Sequence, residues 1–251
     1  MHSWHEMIQK LRFLLLFLLN AAISFSQNKE SELDKYFTAL TQNQEFNGSV
    51  LLVDQGKVIY QKSFGYADFS KKIKNSNSSL INIASISKTF TAIAVLQLKE
   101  KKKLDLNETF AKYFPEFPYP EITIKQLLSH TSGLPDNEAL FDSLVTKNPA
   151  KIFTNSDIIP ALLLYHDSKE LRFKPGERWG YSNIGYDLLA LLVEKISNLS
   201  FAIYMQRNIF LPAGMTHTYI QTSLVQKADK NRCNNYTYNN HYEMKLQQMD
   251  S

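Results

Sequence analysis

The chain has 251 residues, with 28 lysines and arginines against 24 aspartates and glutamates and a formal net charge of +4. Apolar residues make up 44%, and there are eight glycines, eight prolines and one cysteine, which excludes collagen-like repeats, a disordered charged tail and a disulfide-stapled miniprotein. The single cysteine excludes an internal disulfide and a cysteine-rich zinc site, and the spread of charges along the chain gives little support for nucleic-acid binding.

The first 26 residues have the pattern of a secretory signal peptide. Lys10 and Arg12 precede an apolar run over residues 13–23, and Ser24-Phe25-Ser26 closes that run before a polar stretch. A basic start, a short apolar core and small residues two apart are typical of an export signal that is cleaved. The run is short for a bilayer span, so an uncleaved membrane anchor is the less favoured alternative. We therefore expect residues 1–26 to be a signal peptide.

Two methionines could start this signal. Translation from Met7 in place of Met1 puts the basic residues at a more usual distance from the initiator. No other segment is apolar enough to span a membrane. We expect the mature chain, residues 27–251, to be secreted or periplasmic and soluble, with its oligomeric state open.

The mature chain begins with the pattern of a short helix, followed by the pattern of two strands. Apolar residues at Leu33, Phe37 and Leu40 have the spacing of a surface helix. Two apolar runs on either side of residues 54–57 then predict a β-hairpin. The Lys/Asn/Ser-rich residues 71–79 predict a loop.

Helical patterns dominate from Ser85 onward. Residues 85–98 are apolar on nearly all sides, which predicts a central, buried helix. Shorter helices are predicted over residues 123–129, with Thr123 as the N-cap, and over residues 156–165. A turn at Pro175-Gly176 precedes a strongly periodic helix over residues 184–196. Because strands and helices do not alternate, the predicted class is α+β, with a helical insertion against a sheet.

A serine and a lysine stand three residues apart where the apolar helix begins, in Ser85-Ile86-Ser87-Lys88. That spacing puts both on one helix face, so Lys88 Nζ can approach Ser85 Oγ. A serine hydroxyl becomes a nucleophile when an adjacent base takes its proton, and free N–H groups at a helix N-terminus stabilise an oxyanion. The tetrapeptide by itself leaves an alternative open, in which Ser85 caps the helix and Lys88 is a solvated charge.

Seven stretches in a fixed order resemble the serine β-lactamase and penicillin-binding-protein superfamily, and in particular its class C β-lactamase-like branch. The resemblance covers nearly all of the mature chain, and the second stretch holds the serine and the lysine. The stretches are Gly48–Val53, Ile83–Ala92, Leu104–Asn107, Ile122–Pro135, Pro175–Glu177, Tyr181–Tyr186 and Leu211–Met215. The resemblance implies an antiparallel sheet flanked by helices, with a large helical insertion.

The resemblance also implies roles for individual residues. Ser85 would be the nucleophile and Lys88 its partner in proton transfer. Tyr181-Ser182-Asn183 matches the second catalytic motif, in which the tyrosine shuttles the proton, as an anion or through the lysine, and the asparagine binds the substrate amide. Tyr238-Asn239-Asn240 fits the same pattern but lies in a polar stretch without family context.

One histidine lies in a family-like stretch, Leu128-Ser129-His130-Thr131-Ser132-Gly133. His130 is a tempting general base, but the resemblance implies that this segment orders the loop after a helix, so a structural His130 is favoured. The other histidines are scattered without ligand spacing, and the sequence has no zinc-protease motif, no Gly-x-Ser-x-Gly and no phosphate or dinucleotide loop. We expect no cofactor and no metal.

The superfamily's third motif, Lys-Thr-Gly, Lys-Ser-Gly or His-x-Gly, does not occur after Asn183. A hairpin needs further strands beside it, and the polar residues 224–251 do not plainly provide them. We therefore expect the domain over residues 27–251 to be incomplete at its C-terminus, with half of its oxyanion hole.

These observations predict an exported serine hydrolase that forms an acyl-enzyme with an amide, ester or β-lactam carbonyl. Its partner would be a small-molecule or peptide substrate, such as a β-lactam, a D-amino-acid peptide or a short ester, and not a nucleic acid. The absence of the third motif motivates an alternative, in which the chain is a penicillin-binding sensor or an inactive pseudoenzyme fragment.

Overall fold

The computed structural model describes residues 12, 29–136, 140, 151, 153–167, 170–221, 230–238 and 244–246. Apart from Arg12, the predicted signal peptide lies outside the described residues. The chain divides into two compact units, one formed by Met1–Asn82 with Lys227–Asp250 and the other by Ile83–Gln226 with Ser251.

The first unit contains the predicted surface helix and the predicted hairpin. Residues 29–42 form helix α1, and strands β1 (Gly48–Asp54) and β2 (Lys57–Phe64) pair antiparallel. Gln55 and Gly56 both have positive φ, as a tight two-residue hairpin turn requires. The ring of Phe37 lies 5.2 Å from Phe46 and 5.6 Å from Phe64, so aromatic packing fastens α1 to the hairpin.

Two further strand pairs are short. Strand β3 (Tyr66–Asp68) pairs with β4 (Ile73–Lys74), so the predicted loop over 71–79 contains a two-residue strand. Strand β5 (Tyr236–Tyr238) pairs with β6 (Met244–Leu246). The described strands therefore form three separate two-stranded antiparallel sheets, where the sequence predicts one sheet. The predicted α+β class is confirmed.

The second unit is built from helices joined by irregular segments. Its helices are α2 (Ser87–Glu100), α3 (Ile124–Leu128), α4 (Ile158–His166), α5 (Asn183–Ser197) and α6 (Phe201–Met205), which runs on as a π-helical turn over Gln206–Phe210. Short 3₁₀ turns cover Ala84–Ile86, Phe110–Lys112 and Asn155–Asp157. The four predicted helices of this region are all present, with boundaries shifted by one or two residues.

Local sequence explains where these helices start and stop. The Thr123 side chain accepts from the Gln126 N–H while Gln126 Oε1 accepts from the Thr123 N–H, a capping box that starts α3 as predicted. Helix α5 ends at Asn198, which adopts the left-handed conformation with φ of 61°. Along α5 the apolar residues at helical spacing are buried, and they face a core shared with α2 and α3.

Helix α2 differs from its prediction. The sequence predicts a helix buried all round, but burial is confined to one face, formed by Thr91, Ala94, Val95 and Leu98. Ile93 and Leu96 remain 38% and 46% exposed. Apolar composition alone therefore overestimates how much of this helix neighbouring elements cover, since a helix is buried only on the faces that meet a partner.

Within the part of the chain that the structure describes, no single helix is long and apolar enough to cross a membrane. One pair, Asn183–Ser197 with Phe201–Phe210, passes the same test of length and composition when taken together, but it is bent by 77°.

Gly133 is a position where the fold depends on the absence of a side chain. Its φ is +78°, and a Cβ there would lie 2.1 Å from the carbonyl oxygen of Phe173. Gly214 has a similar φ of +70° but has open space around it. Gly214→Ala should therefore lose only the left-handed backbone preference, about 1–2 kcal/mol.

Gly133→Ala should destabilise the chain more than Gly214→Ala, because backbone must also move away from the new methyl group. Urea unfolding of the two variants measures the difference, with Gly214→Ala as the matched control. Equal losses of free energy of unfolding would contradict the close approach of Gly133 to Phe173.

Candidate active site

Ser85 lies in the 3₁₀ turn Ala84–Ile86, directly before helix α2. Ala84 precedes it with φ of 45°, a left-handed conformation that costs a non-glycine residue about 1–2 kcal/mol. Neither this turn nor α2 begins with a side-chain cap, so Ser85 does not serve as a helix cap. The Ser85 hydroxyl instead lies 2.8 Å from the hydroxyl of Tyr181.

The four residues predicted to form the site meet in one hydrogen-bonded group. Lys88 Nζ lies 3.5 Å from Ser85 Oγ and donates to Asn183 Oδ1 over 2.6 Å. The Tyr181 hydroxyl donates to the same Asn183 Oδ1 over 3.0 Å. Lys88 is half-buried and lies over the Tyr181 ring, with Nζ 5.0 Å from its centre. The open alternative, a capping serine beside a solvated lysine, is therefore not what the structure contains.

Tyr181 is the group whose protonation is tuned by this arrangement. Burial by itself raises the pKa of Tyr181, but contact with Lys88 and Ser85 and the charge of Lys88 outweigh burial. The net pKa of the phenol is lower than its ordinary value. A phenol with a lowered pKa, in hydrogen-bond contact with a serine hydroxyl, has the geometry of a proton acceptor.

His130 orders the loop beside the site. Its Nδ1 accepts from the N–H of Ser182 over 3.3 Å, and its carbonyl accepts from the N–H of Gly180 over 2.8 Å. Its ring lies 4.6 Å from the ring of Tyr181. Burial, followed by the charge of Lys88, lowers the pKa of His130, which favours the neutral ring that can accept at Nδ1. These contacts match the structural role that the sequence favours.

Three further side chains hold the Tyr181–Asn183 segment, and sequence reasoning does not single them out. Arg172 donates to the carbonyls of Gly180 and Tyr181 over 3.1 and 2.7 Å. The buried Ser182 hydroxyl donates to the carbonyl of Pro135 over 2.6 Å. Asp136 Oδ1 accepts from the backbone N–H and from the side-chain Nδ2 of Asn183. No spacing rule connects residues so far apart in sequence, so only the fold reveals them.

Asp187 is a half-buried carboxyl one helical turn after Asn183. Burial raises the pKa of Asp187 to about 6, against the lowering effect of the Lys88 charge, and the charge of Asp136 adds to the rise. Among the described residues, no group of three or more His, Cys, Asp and Glu side chains is arranged to hold a metal ion.

The Beta-lactamase family model matches residues 33–241 of the chain. Penicillin-binding protein 4* of Bacillus subtilis (strain 168) is 38% identical over 218 residues, which are 87% of this chain and 47% of the relative. The crystal structure of a penicillin binding protein from Bacillus halodurans is similar with a TM-score of 0.69 and 28% identity, over 83% of this chain and 62% of that one. A class C beta lactamase of 23% identity shares the fold, with a TM-score of 0.69 over 90% of this chain and 59% of that one.

The chain therefore belongs to the serine β-lactamase and penicillin-binding-protein superfamily, a family of serine hydrolases, as the ordered motifs predict. It spans about half the length of the Bacillus subtilis relative and about three fifths of the two solved structures.

The carboxyl of Asp187 gives the chain a characteristic pH dependence. Its pKa of about 6 exceeds the value of about 3.9 expected in an unfolded chain. The folded state therefore holds an extra proton between these values, and the free energy of unfolding falls as the pH rises from about 4 to about 6. Asp187→Asn should remove this fall and stabilise the chain at neutral pH by up to about 3 kcal/mol, measured by urea unfolding across this range.

Asp157 provides a control of opposite sign. The pKa of Asp157 is lowered, first by Lys151 and then by the N–H of Thr154. Its carboxylate therefore adds to the free energy of unfolding at neutral pH, and this stabilisation is lost as the pH falls below the pKa of aspartate in the unfolded chain. Asp157→Asn should therefore destabilise the chain at neutral pH. A loss of stability at neutral pH in Asp187→Asn as well would contradict the assigned shift.

The lowered pKa of Tyr181 depends on Lys88, so Lys88→Ala should raise it, because burial then acts without the opposing cation. NMR titration of chains labelled with ¹³C at the tyrosine Cζ measures the change directly. Lys125→Ala, which removes an exposed lysine from helix α3, is the matched control and should leave the Tyr181 titration in place. An unchanged Tyr181 pKa in Lys88→Ala would show that the cation does not control the phenol.

Proposed function

We propose that the chain is an exported serine hydrolase that acts through an acyl-enzyme on an amide, ester or β-lactam carbonyl. The observation that carries the proposal is the 2.8 Å contact between the Ser85 and Tyr181 hydroxyls, with Lys88 Nζ 3.5 Å from Ser85 Oγ. An alcohol nucleophile needs a base within hydrogen-bond reach, and this pair supplies one.

In the proposed first step Tyr181 is the phenolate, which has lost its own proton to solvent and with it the hydrogen bond to Asn183 Oδ1. Ser85 Oγ attacks the substrate carbonyl while the serine proton passes to the Tyr181 oxygen. The short contact favours Tyr181 as the immediate acceptor over Lys88, whose stronger hydrogen bond goes to Asn183. The positive charge of Lys88 would stabilise the phenolate form of Tyr181, which is consistent with the lowered pKa of that phenol. The leaving amine or alcohol then takes the proton from Tyr181 as its bond to the carbonyl carbon breaks.

Water completes the reaction in the second step. Tyr181 takes a proton from the water, the hydroxide attacks the acyl carbon, and Ser85 leaves with the proton returned to its oxygen. Asn183 would bind the amide of the substrate beside the acyl group, the role that the resemblance to the superfamily's second motif implies. No cofactor is required for either step.

Export is the second part of the proposal. Its support is the pattern over residues 1–26, a basic start followed by a short apolar run and small residues. A secreted or periplasmic location would bring the site to extracellular or cell-wall substrates. The printed name of the Bacillus subtilis relative, a penicillin-binding protein, makes penicillins a rational first probe for this chain.

The test uses the full chain produced in a secreting host and incubated with a fluorescent penicillin and, separately, with a p-nitrophenyl ester. Mass spectrometry should find the added acyl mass on the Ser85 peptide, and it should find Gln27 as the N-terminus of the processed chain. Ser85→Ala should abolish the adduct, because it removes the hydroxyl that contacts both Tyr181 and Lys88. Ser87→Ala is the matched control, since Ser87 has no lysine three residues later, and it should keep the adduct.

Release of acid with regeneration of free Ser85 would identify a hydrolase. A stable adduct without turnover would favour the alternative, a penicillin-binding sensor. A folded chain that forms no Ser85 adduct with either probe would contradict the proposed mechanism, and an N-terminus that retains the first 26 residues would contradict cleavage of the signal.

A further inference from the structure

The side-chain amide of Asn183 lies between groups of opposite hydrogen-bonding character. On one side, its Oδ1 accepts from Lys88 Nζ over 2.6 Å and from the Tyr181 hydroxyl over 3.0 Å. On the other side, its Nδ2 donates to Asp136 Oδ1 over 3.1 Å. An asparagine amide has one end that only accepts and one end that only donates, so the two sides are not interchangeable.

The chemistry of the neighbours allows only one orientation of this amide. An ammonium group only donates and an ionised carboxylate only accepts. A half-turn of the amide would put the NH₂ of Asn183 against the ammonium of Lys88 and its oxygen against the carboxylate of Asp136. Both contacts would then be repulsive in a half-buried place, where unpaired polar groups are costly. Asp136 and Lys88 therefore together select the end of the amide that faces the serine–lysine pair.

Asp136 also fixes the backbone from which this amide projects. Its Oδ1 accepts from the N–H of Asn183, the first residue of helix α5, over 3.0 Å. Ser182 stands at the N-cap position but makes no capping bond, because its hydroxyl is bonded to Pro135. The carboxylate thus takes the place of the missing cap and supplies a negative charge where the helix dipole is positive.

The loop that carries Asp136 is itself held in place. Pro135 accepts from the buried Ser182 hydroxyl, and the carbonyl of Leu134 accepts from Arg172 Nε over 2.7 Å. These bonds are made by residues directly before Asp136, so the carboxylate is presented by a fixed backbone.

We infer that Asp136 is a positioning residue for the reaction, which acts through Asn183 by holding its amide oxygen toward Lys88 and Tyr181 and its first helical N–H in place. This inference rests on the proposed function for its kinetic meaning, while the orientation of the amide stands without it. The carboxylate does not touch the reacting atoms. Its effect reaches Ser85 because the ammonium and the phenol that contact the serine share the oxygen that Asp136 orients.

Asp136→Asn is the sharpest variant, because it keeps the size of the side chain but replaces a carboxylate, which only accepts hydrogen bonds, with an amide that can also donate them. An asparagine at this position can present either end to Asn183, so only Lys88 and Tyr181 still oppose the flipped amide and its preference for one orientation weakens. We expect the rate of Ser85 acylation by a p-nitrophenyl ester to fall about 10- to 100-fold, the scale of a small misplacement of catalytic groups. Asp157→Asn is the matched control: that carboxylate also accepts a backbone N–H at a helix start, from Thr154 over 2.9 Å, and its loss should not change the rate.

A double-mutant cycle separates positioning from general support of the fold. If Asp136 acts mainly by orienting the side-chain amide of Asn183, then Asp136→Asn should cost less rate in an Asn183→Ala background, where only the backbone N–H of residue 183 remains for it to hold. Full additivity of the two substitutions would overturn the inference. An unchanged rate in Asp136→Asn alone, in a chain with native circular dichroism, would overturn it as well.

A spectroscopic measurement tests the orientation of the Asn183 amide without relying on catalysis. The side-chain NH₂ protons of Asn183, assigned by ¹⁵N-asparagine labelling, should exchange slowly with solvent in the unmodified chain and quickly in Asp136→Asn, while Asp157→Asn leaves them slow. Fast exchange in the unmodified chain would overturn the inference, even if the variant fails to fold. If no probe acylates Ser85, the proposed function fails, and slow exchange that depends on Asp136 would still establish the orientation.

Discussion

The side-chain oxygen of Asn183 is the point on which the site depends, because it accepts from both Lys88 and Tyr181. One acceptor with two donors keeps the ammonium and the phenol on the same side of Ser85 and at fixed distances from it. The charge of Lys88 favours the phenolate form of Tyr181, while burial opposes it. The hydrogen-bond geometry and the electrostatics of the site therefore have one common origin.

The loop between α3 and residue 136 is the scaffold that holds this point. The loop turns at two residues with positive φ, His130 at 57° and Gly133 at 78°. Because Gly133 has no Cβ, the carbonyl oxygen of Phe173 can lie where a methyl group would otherwise be. Backbone atoms of the loop then bond to the segment that contains Tyr181 and Asn183. Such conformations are costly by themselves, and the bonds to the neighbouring segment compensate for them.

Much of the fold was accessible from local pattern. The hairpin follows from apolar runs around a Gln-Gly turn, and α3 follows from Thr123 and Gln126, because short-range hydrogen bonds and periodicity are written in adjacent residues. The predicted burial of α2 on nearly all sides was wrong, and the described strands form three small antiparallel sheets instead of one, for a common reason. Both depend on which other elements cover a face or an edge, and periodicity carries no information about distant partners.

The sequence by itself determined the identities of Ser85, Lys88, Tyr181 and Asn183 as the residues of interest, since two short motifs in a fixed order carry them. Tertiary structure alone decided that their atoms meet, and that Ser85 Oγ lies closer to the Tyr181 hydroxyl than to Lys88 Nζ. It also decided that Asp136, Arg172 and Asp187 lie around these residues. The physical reason is that hydrogen bonds and desolvation act over a few ångströms of space, whereas Ser85 and Tyr181, or Asp136 and Asn183, lie tens of positions apart in the chain.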